Sequence, residues 1–99
     1  MSTVSAAYLD KVRFGVRRTS GTMVDAELTD IVQQCRADLI RMGVAQSVAE
    51  DETDVLVLGC VRCFARWQFG INGDNSDRNH ADYLELADNL RRSQTEVTS

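Results

Sequence analysis

Residues Thr53–Gly70 read TDVLVLGCVRCFARWQFG. A capping start, a mostly apolar run and a glycine stop predict a helix over about Asp54–Phe69. Apolar side chains fall on nearly every side of it, which predicts a rod buried all round. Arg62 and Arg66 are the only charges between Val55 and Gly70, and their four-residue spacing puts them on one face. That face reads either as a narrow solvent-exposed edge or as a stripe facing an interface or a channel.

The flanking segments are amphipathic and suited to wrap this rod. A first helix is expected over Ser5–Arg17, with Leu9, Val12 and Val16 recurring at helical spacing. A second is expected over Met23–Met42. Its stripe is Leu28, Ile31, Val32, Cys35, Leu39 and Met42, and Gly43 supplies the stop. Val44 to Thr53 reads as a polar connection. A last helix is expected from Asn75 or Ser76 to about Arg92, on a stripe of Tyr83, Leu84, Ala87 and Leu90. The fold class is therefore all-α: a small four-helix domain with a central apolar helix wrapped by amphipathic ones. Gly15 and Gly59 lie inside predicted helices, which suggests that the first helix and the central one cross closely there.

The chain of 99 residues suits one domain spanning residues 1–99, with a polar, flexible tail at 93–99. It contains no proline, so long unkinked helices are permitted. The formal net charge of −4 argues against non-specific nucleic-acid binding, which needs a basic surface. Only Lys11 of the eleven basic residues is a lysine, and arginine is the better residue for planar contacts with protein partners. No apolar run reaches the roughly 20 residues that span a membrane, so no membrane partner is expected. The first residues lack the pattern of a secretory signal, which places synthesis and use in a cytoplasm. Three cysteines are an odd number, and reduced thiols are expected.

Cys60-Val-Arg-Cys63 is a CxxC, and with Cys35 and His80 it has the residue types of a zinc site. Zinc ribbons place such pairs on turns. Inside an apolar helix, free cysteine packs as a small hydrophobe, so no metal or other cofactor is expected. His80 is the lone histidine and has no serine or cysteine beside it in a nucleophile motif. GINGD carries no lysine and follows no strand, so it is no phosphate loop. No catalytic residue emerges, and the chain reads as a building block, not an enzyme.

Charge is distributed unevenly. Lys11, Arg13, Arg17 and Arg18 make the end of the first helix basic, while Glu50, Asp51, Glu52 and Asp54 make the connection acidic. A head-to-tail ring needs two different, complementary surfaces on each subunit. Arg13, Arg17 and Arg18 on one side, with Glu50, Asp51 and Glu52 on the other, are the candidate subunit interface.

Four stretches together resemble a known family: YLDKVRFGVRR, DAELTDIVQQCRADLIRMGV, DVLVLGCVRCFARWQFG and ADYLELADNLRRS. Their order, from about Tyr8 to Ser93, is similar to that of the head-to-tail connector (head-completion, adaptor) proteins of tailed bacteriophages and prophages. The likeness is one of helix layout and carries no diagnostic motif. It implies a structural virion protein at the head–tail interface, made in the bacterial host cytoplasm. Such proteins form a homo-oligomeric ring below the portal, matching its twelve-fold symmetry in the particle. The ring completes the DNA-filled head and is the platform for the stopper or tail. Double-stranded DNA passes through its channel without sequence-specific binding. The resemblance also implies a portal-docking role for the C-terminal region, here Leu90, Arg91, Arg92, Ser93, Gln94, Thr95, Glu96 and Val97. Two rival readings are a generic helical protein-interaction module and a small DNA-binding regulator. The regulator fits less well, because the second connection is too long for a helix-turn-helix and the following helix too apolar to enter a groove.

Overall fold

The computed structural model describes residues 4–15, 25–68 and 76–98, except for the side chains of residues 15, 25, 76 and 94–98. These residues form five helices: α1 (Ala6–Gly15), α2 (Asp25–Arg41), α3 (Gln46–Ala49), α4 (Val55–Gln68) and α5 (Ser76–Thr98). None of the described residues is in a strand. The chain is thus a small all-α domain, and α4 is its centre, touching α1, α2 and α5.

Local chemistry accounts for the helix ends. Ser5 caps α1, its hydroxyl accepting the Tyr8 N–H at 3.1 Å. Asp54 caps α4 with one carboxylate oxygen, taking the N–H groups of Leu56 and Val57 at 2.8 and 3.2 Å. At the end of α2, Gly43 adopts φ 110°, a conformation that favours glycine. The Gly43 N–H then bonds the Ile40 carbonyl and the Val44 N–H the Leu39 carbonyl, at 3.0 and 2.9 Å. This is a Schellman stop, with Val44 buried behind it.

The core is the union of the apolar stripes. Val57, Cys60, Val61, Phe64 and Ala65 of α4 meet Leu28, Val32, Cys35 and Leu39 of α2, Tyr8 and Val12 of α1, and Tyr83 and Ala87 of α5. Helix α5 runs antiparallel to α4, as Tyr83 meets Phe64, His80 meets Trp67 and Leu86 lies against Gly59. Helix α1 runs parallel to α4, since Ser5 bonds Glu52 ahead of α4 and the Lys11 carbonyl receives Arg62 within it.

Four sequence expectations need correction. Helix α4 is not buried all round: Val55 and Leu56 remain 76% and 51% exposed. The connection at 44–53 is not all loop, because Val44 and Ala49 bury into the core and draw 46–49 into the short helix α3. Gly59 does not mark a crossing with α1. A Cβ built there would stand 3.9 Å from Leu86 of α5, an ordinary contact. Finally, α5 continues to Thr98, past the end at Arg92 that its apolar stripe suggested.

Candidate interaction surfaces

The acidic connection divides into an outward and an inward part. Asp51 is exposed, and one of its carboxylate oxygens accepts both the N–H and the hydroxyl of Thr53, at 2.9 and 2.6 Å. These bonds hold its carboxyl below the usual range. Glu50 accepts from the Gln46 amide at 3.2 Å. Glu52 differs, and its assignment to a subunit surface is corrected. It turns toward α1 and α2, accepting the Ser5 N–H at 3.0 Å, the Ser5 hydroxyl at 2.6 Å and the Arg36 guanidinium at 3.4 Å. Glu52 thereby plays the part of the glutamate in a capping box, reaching the cap residue's own N–H from another segment. Partial desolvation opposes its ionisation, but the Ser5 hydrogen bonds and Arg36 outweigh this and its pKa is lowered.

Arg36 is the residue that sequence reasoning missed. It is 1% exposed, and its guanidinium carbon lies 5.8 Å from the centre of the Tyr8 ring. Burial dominates at Tyr8 and pushes its hydroxyl up to about 12, against the opposing pull of Arg36. A signal existed, since Arg36 falls four residues past Val32 and so lies within the apolar stripe of α2. An arginine there must be buried with a partner or turn the helix.

The basic side lies along the distal half of α1 and the adjoining part of α4. Lys11 is exposed, Arg13 pairs with Asp10 at 2.9 Å, and Arg62 and Arg66 are half-buried. Arg62 donates from Nε to the Lys11 carbonyl at 3.1 Å, strapping α4 to α1. One of its predicted roles, an outward face, is thus shared with an internal one. Arg17 and Arg18, the other predicted members of this surface, lie outside the described residues. The structure therefore brings Arg62 against the α1 backbone at Lys11, two residues before Arg13. It separates them from Glu50 and Asp51, which stand at the start of α4.

The predicted C-terminal docking segment also divides. Leu90 is 3% exposed and belongs to the core, so it is withdrawn from that segment. Arg91 and Arg92 both pair with Asp88, each at 2.8 Å, and the Arg91 stem covers Gly43. Ser93 is exposed. Gln94, Thr95, Glu96 and Val97 continue the helix backbone.

Between α2, α4 and α5 lies a surface cleft of about 350 Å³. Trp67 and His80 stack on its wall with ring centres 4.0 Å apart and planes within 14°. His80 is thus a packing partner of Trp67. Asp38 on the opposite side accepts from the buried Tyr83 hydroxyl at 2.6 Å and from Arg41. Burial opposes ionisation of Asp38, yet the bonds from Tyr83 and Arg41 prevail and hold its carboxyl low. Both carboxylate oxygens are committed, and among the described residues no hydroxyl or thiol lines the cleft.

Cys35, Cys60 and Cys63 are free and buried. Burial pushes the Cys60 thiol up to about 12 and raises Cys35 and Cys63 as well, which suits packing and disfavours a nucleophilic role. Among the described residues no group of three or more His, Cys, Asp or Glu is arranged to hold a metal ion. No described helix is long and apolar enough to cross a membrane. No protein-family model, curated protein or solved structure matches this chain.

Proposed function

We propose that this protein is a head-to-tail connector of a tailed phage or prophage, a structural ring subunit and not an enzyme. In this reading it sits below the portal at the head–tail interface. It closes the DNA-filled head, offers its far side to the stopper or tail, and lets double-stranded DNA pass through its channel without reading its sequence. The observation that carries the reading is the placement of opposite charges along one helix pair, α1 and α4. Glu50, Asp51 and Asp54 gather at the start of α4, and Lys11, Arg13 and Arg62 gather further along the α1–α4 pair. One subunit therefore presents two unlike, complementary surfaces, as a ring requires. The long helix α5, about 34 Å by its 23 residues, outreaches α4 and supplies an arm toward the portal. The net charge of −4 also suits a channel along which DNA slides without sticking.

The test is to mix the protein with the portal ring encoded beside it and image the product by electron microscopy. A closed collar on one face of the portal is the expected outcome. No binding at about 100 μM, near the weak limit of specific association, would refute the reading and favour a helical module with another partner.

A further inference from the structure

The cleft between α2, α4 and α5 carries polar groups that the fold does not use, beside an aromatic wall that it holds in place. Two rings position Trp67: Phe64 meets it in a T-shaped contact at 5.6 Å, and His80 stacks on it at 4.0 Å. Leu84 lines the same cleft and remains 42% exposed. Gln34 of α2 and Gln68 of α4 also line it. Both are exposed, and neither amide makes a hydrogen bond among the described residues. The charged pair is different. Arg41 donates from Nε and Nη2 to one oxygen of Asp38, so these two opposite charges cancel.

We propose that this cleft docks an uncharged peptide segment of a partner protein. One large apolar side chain of that segment enters against Trp67 and Leu84, while Gln34 and Gln68 bond the backbone beside it. This goes beyond the ring reading and does not depend on it.

The chemistry of the lining selects the occupant. Trp67 and Leu84 offer apolar surface, whose burial needs an apolar side chain. An amide side chain carries both donors and an acceptor, as the peptide backbone does, so two uncommitted amides match a stretch of backbone. An aromatic wall also suits a nucleobase, but a nucleotide brings phosphate. Arg41 is the only arginine or lysine that lines the cleft, and it is committed to Asp38, whose carboxylate repels an anion. Size agrees. About 350 Å³ is at the small end of the roughly 300–1,000 Å³ of ligand pockets, room for one side chain and its flanking peptide groups. Because Trp67 is already held, little ordering of that wall opposes binding.

Trp67 is the only tryptophan in the chain, so its emission reports the cleft directly. The full chain is titrated with the blocked tripeptide acetyl-Gly-Phe-Gly-amide, and with acetyl-Gly-Gly-Gly-amide and adenosine monophosphate for comparison. The phenylalanine peptide should give a saturable change with a dissociation constant of about 1 mM, and the other two should bind roughly tenfold more weakly or not at all. Leu84→Asp should abolish the response. Gln34→Ala combined with Gln68→Ala should weaken it by roughly fivefold, as the loss of hydrogen bonds to the backbone requires. All three positions are exposed, so circular dichroism should show both variants folded. Absence of a saturable change by about 10 mM would overturn the proposal. So would a glycine peptide or a nucleotide that binds as tightly as the phenylalanine peptide, or wild-type affinity in either variant.

Discussion

Helix α4 is gripped differently by its two long-axis neighbours. Helix α5 holds it by side-chain packing: Phe64 against Tyr83 at 5.1 Å, Trp67 stacked on His80, and Leu86 against Gly59. Helix α1 adds Tyr8, Leu9 and Val12 to the core, and its described part, 10 residues, is short for a helix to be stable alone. Its attachment leans on polar fastenings, Ser5 to Glu52 at one end and Arg62 to the Lys11 carbonyl further along. Apolar packing tolerates changes of pH and salt. A polar fastening depends on the charge state of a few groups, so α1 is the corner of the fold that conditions can loosen.

The largest expected effect breaks the packed side. Phe64→Ala removes the ring that contacts both Trp67 and Tyr83, and should cost about 3–5 kcal/mol. Chemical denaturation should show α4 and α5 lost together.

Next in size is Arg36→Ala, at about 3 kcal/mol, because it leaves Glu52 without its cation and opens space beside Tyr8. Arg36→Met, which keeps the volume without the charge, should cost clearly less. Equal losses from the two changes would show that volume is irrelevant and that the lost charge accounts for the whole effect.

Glu52→Gln is milder, about 1–2 kcal/mol, since its side chain stays 28% exposed. The pH dependence follows from the direction of its shift. Its pKa is lower in the folded state, so its stabilising effect is full above the ordinary glutamate range and is lost as pH falls through the folded value. Urea titrations at pH 7 and pH 3 should show wild type losing more stability in acid than Glu52→Gln does.

The smallest effect is Gly59→Ala. The added methyl makes an ordinary contact with Leu86 and improves helix propensity by up to about 1 kcal/mol. Melting temperature should hold or rise by a few degrees. A clear drop would mean that α4 and α5 lie closer than described.

The same contrast explains what the sequence made legible. Periodic apolar stripes in α2, α4 and α5 placed the helices and most of the core, and Gly43 marked its stop, because those signals are local. Helix α3 was not legible, since its four residues form only where Val44 and Ala49 are drawn into a core built by distant segments. Nor was the inward turn of Glu52. Among Glu50, Asp51, Glu52 and Asp54, nothing local distinguishes the one that meets Ser5, which lies 47 residues away. Of the four, Glu52 alone turns inward as a tie, while Asp54 caps α4, Asp51 locks a turn and Glu50 bonds Gln46 without leaving the surface. The interaction surfaces were legible as charge but not as shape. Val55 and Leu56 read as core from their apolarity, and only the packed structure shows them exposed.

Native-state hydrogen exchange of the α1 amides against those of α4 and α5, in wild type and in Glu52→Gln, tests the contrast most directly. The polar fastening predicts that α1 amides open at lower free energy than the α4 and α5 core, and that Glu52→Gln lowers protection in α1 by about 1–2 kcal/mol while leaving α4 and α5 nearly unchanged. Equal loss of protection in all three helices would contradict it, and would make α1 an integral part of one cooperative core.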